Sequence, residues 1–206
     1  MAKLSQILDS YGITDEYLRM KITSLADPVS VRKHTTFDIS GSVSLYVLED
    51  GIIRAYTCEE DGTEITTNFV YRRGQPFYSN PSMLSPRMAG VRVYNETLTE
   101  SHLYRFEISE IMDLVQMYPA MLELARNLIN DWFAIQWEHT HILYAYSAKQ
   151  RYEWFLESYP NLLSRISHKY VASFLNMTPV TMSHVRRTIN EEKAKSEINK
   201  QEQETE

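Results

Sequence analysis

Cysteine is almost absent from this sequence of 206 residues, because Cys58 is the only one. A lone thiol excludes an internal disulfide and an iron–sulfur cluster held by several thiolates of one chain. The sequence also lacks the run of about 20 apolar residues that a membrane span needs. Its amino terminus, MAKLSQILDS, lacks the apolar block of a signal peptide. These absences predict a cytoplasmic protein with no membrane partner.

Basic residues are also outnumbered, with 21 Lys and Arg against 27 Asp and Glu and a net charge of −6. This balance argues against an indiscriminate nucleic-acid binder. The distribution is uneven, however. Residues 1–144 carry 12 basic against 19 acidic residues, residues 145–189 carry 6 against 2, and residues 190–206 carry 3 against 6. The basic surplus is therefore confined to one segment near the carboxyl end.

Segments rich in β-branched and aromatic residues follow the first short helices and continue to about residue 108. The pairs Asp50-Gly51 and Asp61-Gly62 punctuate them, and Asp-Gly is a strong hairpin signal. This pattern predicts a small antiparallel β-barrel or sandwich. Because helices follow it, the predicted fold class is α+β.

A long helix is predicted from about Pro119 to residue 145. Apolar positions in it recur with 4-3 spacing, which is typical of a coiled-coil seam. We therefore expect this helix to form a homodimer. The alternative is that the stripe packs onto the chain's own β-domain. The predicted dimerisation residues are Ala125, Leu128, Trp132, Ile135, His139 and Ile142.

The stretch SHKYVASFLNMTPVTMSHVRRTI, residues 167–189, has the pattern of a helix-turn-helix. Ser167 is a plausible N-cap of its first helix. Asn176 lies at the turn, where a left-handed backbone is required. Thr178 then caps the second helix, and Pro179 occupies its first position, where a missing N–H has no cost.

In this motif the second helix contacts base edges, while flanking cations and hydroxyls contact phosphates. The residues that project away from the contact between the two helices are therefore candidates for base contact. Basic residues around them are interpreted as phosphate contacts. The alternative is an ordinary helical hairpin with a solvated basic face. The predicted DNA-binding residues are Arg165, Ser167, Lys169, Thr178, Pro179, Val180, Thr181, Ser183, His184, Arg186 and Arg187.

The chain resembles the bacterial Crp/Fnr transcription regulators over nearly its full length. The block RYEWFLESYPNLLSRISHKYVASFLNMTPVTMSHVRR resembles their DNA-binding domain, and LYVLEDGIIRAYTCEEDGTEITTNFVYRRGQPF resembles their cyclic-nucleotide-binding jelly roll. The resemblance implies a β-roll sensor, a dimerisation helix and a winged helix-turn-helix. The corresponding domains are 1–118, 119–145 and 146–190, and a charged, disordered tail is expected over 191–206.

The resemblance is incomplete at the phosphate-binding cassette. Members that bind cyclic AMP have Gly-Glu at its start and an Arg followed by Ser or Thr and then Ala. This sequence has Gly74-Gln75 at the start and Arg87-Met88-Ala89 or, on another alignment, Val91-Arg92 further on. Because a neutral Gln is a poorer acceptor for ribose hydroxyls than a carboxylate, we do not expect cyclic AMP to bind. The candidate effector pocket is Gly74, Gln75, Arg87 and Arg92.

The function predicted from these features is a sequence-specific DNA-binding regulator that responds to an unidentified small-molecule effector. Its expected partners are double-stranded DNA with a pseudo-palindromic operator, a second copy of the chain and RNA polymerase. The alternative is a degenerate sensor or protein-interaction module that does not bind DNA. No clustered set of His and carboxylates suggests an enzyme, and no cofactor or metal ligand is predicted.

Overall fold

The computed structural model describes residues 2–37, 43–80, 87 and 90–203. The chain divides into two compact units, Met1–Phe133 and Ala134–Glu206. None of the described helices is both long enough and apolar enough to cross a membrane. The helices and strands are α1 (Ala2–Ser10), α2 (Glu16–Leu25), β1 (Asp27–Val31), β2 (Ser44–Asp50), β3 (Ile53–Cys58), β4 (Glu64–Val70), β5 (Pro76–Tyr78), β6 (Val93–Thr97), β7 (Ser101–Glu107), α3 (Ile108–Met117), α4 (Pro119–Ala145), α5 (Ala148–Ser158), α6 (His168–Phe174) and α7 (Pro179–Gln203).

The strands of the first unit form two sheets, with the orders β1-β7-β2-β5 and β4-β3-β6. All neighbouring strands are antiparallel, which confirms the predicted antiparallel roll. Leu48 and Leu103 of the first sheet pack in one buried cluster with Ile53 and Val70 of the second. The apolar faces of the two sheets therefore form the interior of the roll.

The Asp61-Gly62 pair lies in the predicted hairpin between β3 and β4. The backbone N–H of Glu59 donates to the Thr63 carbonyl at 2.9 Å. Gly62 has a φ of 84°, a backbone conformation that glycine adopts without a Cβ penalty.

The prediction of a second hairpin at Asp50-Gly51 is wrong. This pair joins β2 of one sheet to β3 of the other. Gly51 has a φ of 124°, and a Cβ added to it would lie 2.8 Å from the Ser101 Cα. Glycine is thus required here by the close approach of β7 and not by a hairpin.

A second apolar cluster in the first unit joins α1 and α2 to β7, α3 and the start of α4. Asp15 caps α2, because its carboxylate accepts a hydrogen bond from the Leu18 N–H at 2.7 Å. The cluster fixes the first turns of the long helix against the roll. Its buried members are Leu4, Ile7, Leu8, Ile13, Leu18, Ile22, Tyr104, Phe106, Ile111, Leu114 and Met121.

The second unit contains the end of α4 and three further helices. The predicted wing is absent from the described residues 134–203, which form helices and turns without a strand. The segment predicted as a disordered tail also differs, because α7 continues to Gln203. Glu, Lys and Gln make up most of this segment, and these residues have high helix propensity.

Candidate DNA-binding interface

Helices α6 and α7 form the predicted helix-turn-helix. Ala172 and Leu175 of α6 and Met182 of α7 are buried, so the side of each helix that faces its neighbour is apolar. The chain reverses at Asn176, which has a φ of 49°. The N–H of Met177 donates to the Ala172 carbonyl at 2.9 Å and closes the end of α6. The prediction of a left-handed turn at Asn176 is confirmed.

The second helix of the motif begins where the sequence predicts. The Thr178 hydroxyl accepts a hydrogen bond from the Thr181 N–H at 3.0 Å, and α7 starts at Pro179. The side chain of Val180 is 67% exposed although it is apolar. Thr181 is half-buried, and the further exposed residues on the first turns of α7 are Pro179, Ser183, His184 and Arg187.

Two side chains from other helices hold the end of α6. The Nε2–H of His139 on α4 donates to the Phe174 carbonyl at 2.9 Å. Arg151 on α5 donates through Nη1 to the carbonyls of Leu175 at 2.6 Å and Asn176 at 3.1 Å. These bonds satisfy the carbonyls that a helix end leaves without partners. The turn that orients α7 is therefore fixed by α4 and α5.

The environment of His139 favours its neutral form. Its ring stacks on Phe174 with centroids 4.0 Å apart and 8° between the planes, and Trp154 lies 6.0 Å away. Burial lowers the pKa of His139, and the hydrogen bond to the Phe174 carbonyl raises it by less. The Trp154 indole N–H donates to Glu138 at 2.9 Å, so α5 is tied to α4 at the same place.

Arg186 is predicted as a phosphate contact, but the structure places it between helices. Its Nη1 donates to Nδ1 of His168 at 3.3 Å, and its guanidinium also hydrogen-bonds the Tyr152 hydroxyl. Burial and, to a smaller extent, the Arg186 charge lower the pKa of His168. Arg186 thus joins α7 to α5 and α6, which is a structural role that its sequence position does not indicate.

His184 and Arg187 form a chain of contacts along the outer face of α7. The Nη2 of Arg187 donates to Nδ1 of His184 at 3.0 Å. The Nε of Arg187 lies 3.9 Å from a carboxylate oxygen of Glu191. The guanidinium is therefore held between a histidine one turn before it and a carboxylate one turn after it.

The other predicted phosphate contacts lie at the start of the motif. Arg165, Ser167 and Lys169 are all exposed. Ser167 precedes α6 as predicted but makes no capping hydrogen bond with its side chain. The Nζ of Lys169 lies 4.8 Å from the centroid of the Tyr170 ring, which places this charge beside the amino end of α6.

The fold of the chain is similar to that of solved regulators, although no protein-family model and no curated protein matches its sequence. FixK2 from Bradyrhizobium japonicum has a TM-score of 0.69 and 17% identity, over 81% of this chain and 85% of FixK2. A CooA variant from Carboxydothermus hydrogenoformans has a TM-score of 0.68 and 14% identity, over 90% and 83%. A regulator of the Crp/Fnr family from Eubacterium rectale has a TM-score of 0.67 and 16% identity, over 88% and 86%. The chain has the Crp/Fnr fold.

The Crp/Fnr fold confirms the predicted α+β class and the order of a β-roll, a long helix and carboxy-terminal helices. Identities of this size establish a shared architecture. The chemistry of this chain is therefore read from its own side chains.

Two residues of the candidate effector pocket, Gly74 and Gln75, make hydrogen bonds within the chain. In Crp/Fnr members that bind cyclic AMP, the residue at Gln75 is a Glu that contacts the ribose. Here the Gln75 carboxamide oxygen accepts hydrogen bonds from the backbone N–H groups of Tyr71 at 3.1 Å and Arg72 at 3.2 Å. Its NH2 group donates to the Phe69 carbonyl at 3.4 Å. The Gln75 side chain is therefore hydrogen-bonded within its own turn.

The neighbouring Gly74 is covered by α1. The Tyr11 hydroxyl donates to the Gly74 carbonyl at 2.6 Å. Arg87 and Arg92 are exposed residues outside the named strands, and Met88 and Ala89 of the same alignment lie outside the described residues.

Inside the roll of this Crp/Fnr fold, aromatic rings occupy the space between the sheets. Tyr46 and Phe77 stack with centroids 5.2 Å apart. Phe37 contacts both rings edge-on, at 5.1 Å and 5.4 Å. Among the described residues of the roll, these three rings therefore form a close-packed aromatic group.

The predicted dimer seam on α4 has a mixed outcome. Trp132 and Ile135 are exposed, and Ala125 and Leu128 are half-buried. His139 and Ile142 are instead buried in the second unit. These two assignments need correction, because 4-3 spacing identifies an apolar face of a helix but not the chain that covers it.

A different stripe of α4 is exposed. The side chains of Leu122, Ile129 and Phe133 are 58%, 65% and 62% exposed. Residues i, i+7 and i+11 lie within about 40° of each other around a helix. These three apolar side chains, called the outer stripe below, therefore share one face.

The sequence interpretation misses the contacts that three residues make with the motif. Arg151 and His139 hold the turn of the motif, and Glu191 contacts Arg187. The i, i+4 spacing of Arg187 and Glu191 is visible in the sequence. Arg151 and His139 contact the end of α6 across separations of 24 to 35 residues, and no local pattern encodes such contacts.

Proposed function

We propose that this protein is a sequence-specific DNA-binding transcription regulator that acts as a homodimer in the cytoplasm. The observation that carries the proposal is the helix-turn-helix with a Thr178-capped α7. The outer face of this helix presents an apolar Val180 and a polar His184 one turn apart. An apolar side chain suits a thymine methyl group, and a hydrogen-bonding one suits a base edge in the major groove.

Positive charge beside the motif supports the same function. Arg165 and Lys169 are exposed near the start of α6, where a helix-turn-helix crosses the DNA backbone. They are therefore assigned to phosphates. Contacts of this kind add affinity without sequence preference.

The dimer is proposed to form through α4, with a second copy of the chain covering the outer stripe. Ile129 and Phe133 are each more than half exposed, which is a large apolar area for an isolated surface helix. Dimers bind operators of matching twofold symmetry. We expect Ile129→Asp combined with Phe133→Asp to give monomers in sedimentation. The control Met20→Asp, at an exposed position of α2, should leave the dimer intact. A folded dimer of the double variant would contradict this interface.

The small-molecule effector is proposed to be something other than cyclic AMP. The Gln75 side chain is hydrogen-bonded within its own turn, and the aromatic rings of the roll pack on one another. RNA polymerase is a further proposed partner, as expected for a regulator of this fold. The second candidate function is a protein-interaction module that does not bind DNA.

The function is tested by selecting duplexes from a random pool and measuring affinity by fluorescence anisotropy. We expect a pseudo-palindrome with half-sites about 34 Å apart, or a multiple of this distance. Binding to it should be about 1,000-fold or more tighter than to random DNA. Lys169→Ala should weaken both kinds of DNA about equally, and Lys33→Ala, at an exposed lysine of the first unit, should weaken neither. Equal binding of selected and random duplexes would favour the second candidate.

A further inference from the structure

The hydrogen bond between Arg187 and His184 determines which hydrogen-bonding group His184 offers. A guanidinium carries only N–H donors and accepts no hydrogen bond. The Nδ1 of His184, 3.0 Å from Nη2 of Arg187, must therefore be the acceptor. A neutral imidazole with an accepting Nδ1 carries its proton on Nε2.

Glu191 keeps the guanidinium in this place. It lies one turn further along α7, with a carboxylate oxygen 3.9 Å from the Nε of Arg187. Both contacts lie on one face, since the three residues are spaced by three and four positions. The Arg187 guanidinium therefore lies near the Glu191 carboxylate one turn later in α7 and donates to His184 one turn earlier.

We propose that Arg187 is a positioning residue that fixes His184 as a pure hydrogen-bond donor, so that His184 rejects cytosine and favours a base edge rich in acceptors, guanine above all. The proposal rests on the proposed function, because it specifies the recognition chemistry of the same helix. In the major groove guanine presents two acceptors, N7 and O6, and no donor. Cytosine presents the N4 amino donor, which an Nε2–H group cannot accept.

The other tautomer would give the opposite preference. With the proton on Nδ1, the free Nε2 would accept from the amino group of cytosine or adenine. The Arg187 contact excludes this arrangement, because two donors cannot bond each other. Specificity at this position thus depends on a residue that does not itself touch the base.

The first measurement is the imidazole tautomer in the free full-length protein. Long-range proton–nitrogen correlation spectra of the imidazole report which nitrogen carries the proton. We expect His184 to be protonated on Nε2 in the wild type and to exchange between tautomers in Arg187→Met. A wild-type proton on Nδ1 overturns the proposal, whatever the protein does with DNA.

The second measurement separates the donor of Arg187 from its charge. Arg187→Met removes both, whereas Arg187→Gln removes the charge and keeps an N–H donor. We expect the Met variant to lose about 3- to 10-fold of the preference for guanine over cytosine, the value of one hydrogen bond, and the Gln variant to retain it. Equal preference in both variants, with equally weakened binding to all DNA, would make Arg187 a phosphate contact and overturn the proposal.

The third measurement exchanges the group at position 184. His184→Lys supplies donors only and should keep guanine, whereas His184→Glu supplies acceptors only and should shift selection to cytosine or adenine. If neither variant changes the selected base, His184 does not read it and this inference fails while DNA binding stands. If the wild type selects no duplex at all, the proposed function fails and the inference with it.

Discussion

Replacing Arg151 tests whether the turn of the helix-turn-helix is held from outside the motif. In Arg151→Met the two carbonyls at the end of α6, of Leu175 and Asn176, lose the guanidinium that now lies 2.6 Å and 3.1 Å away. Methionine retains an unbranched apolar stem at this position. The change therefore removes the hydrogen bonds with little loss of volume.

The size of the effect follows from two opposing contributions. A hydrogen bond to a charged group contributes about 1.5–3 kcal/mol, and an unmade buried one costs about 1–3 kcal/mol. One gain offsets part of the loss of these two hydrogen bonds. The Arg151 Nε is buried without a hydrogen-bond partner among the described residues, and the substitution removes this unsatisfied group. The net loss is about 2 kcal/mol in the free energy of unfolding of the second unit.

Calorimetry and hydrogen exchange can measure this loss in the full-length protein. For a unit of this size 1 kcal/mol shifts Tm by about 4–8 °C, so a decrease of about 10 °C is expected. Amides 175–177 should exchange faster, and affinity for operator DNA should fall. Lys149→Met is the matched control, because its ion pairs with Glu153 and Glu192 are exposed to solvent and should contribute little to stability. Unchanged Tm and exchange in Arg151→Met would refute the capping role.

Four further outcomes are expected. Gly51→Ala should destabilise the roll by about 2–4 kcal/mol in urea unfolding, because the new Cβ meets Ser101 at an unfavourable φ; wild-type stability would contradict the close approach. Because burial lowers the pKa of His139, the unfolded chain binds the extra proton and stability falls as pH drops below about 6.5, by at most about 1.4 kcal/mol per pH unit; His139→Gln should flatten this dependence. Two phosphate contacts per chain, Arg165 and Lys169, predict a slope of about −4 for log K against log salt in a dimer, and a slope near −10 would show that more cations take part. Isothermal titration calorimetry with cyclic AMP should show no heat of specific binding, and a 1:1 binding isotherm would overturn the account of Gln75.

The features predicted correctly from the sequence are those that depend on local backbone chemistry. Asn176 has the left-handed backbone of the turn, Thr178 caps α7, and Gly62 forms its hairpin. In each case the residue type and its immediate neighbours determine the conformation. The enrichment of β-branched and aromatic residues up to about residue 108 likewise predicts strands from local residue types.

The features predicted wrongly depend on which distant segment lies opposite. Gly51 has the signal of a hairpin but lies where the chain passes between sheets. His139 and Ile142 follow the dimer seam and are buried by their own chain. A sequence pattern indicates whether a face is apolar or polar. Only the tertiary fold determines which segment packs against that face.

The cations of the basic segment show why its charge surplus overstates the surface available to DNA. Arg151 and Arg186 form hydrogen bonds with other helices, and Lys149 is paired with carboxylates. Arg187 is engaged by His184 and Glu191 along α7. Few cations are then left to act as simple phosphate contacts, so nonspecific affinity should be modest for a regulator of this fold. Discrimination between operator and random DNA must therefore come mainly from the geometry of α7, which these same internal contacts hold in place.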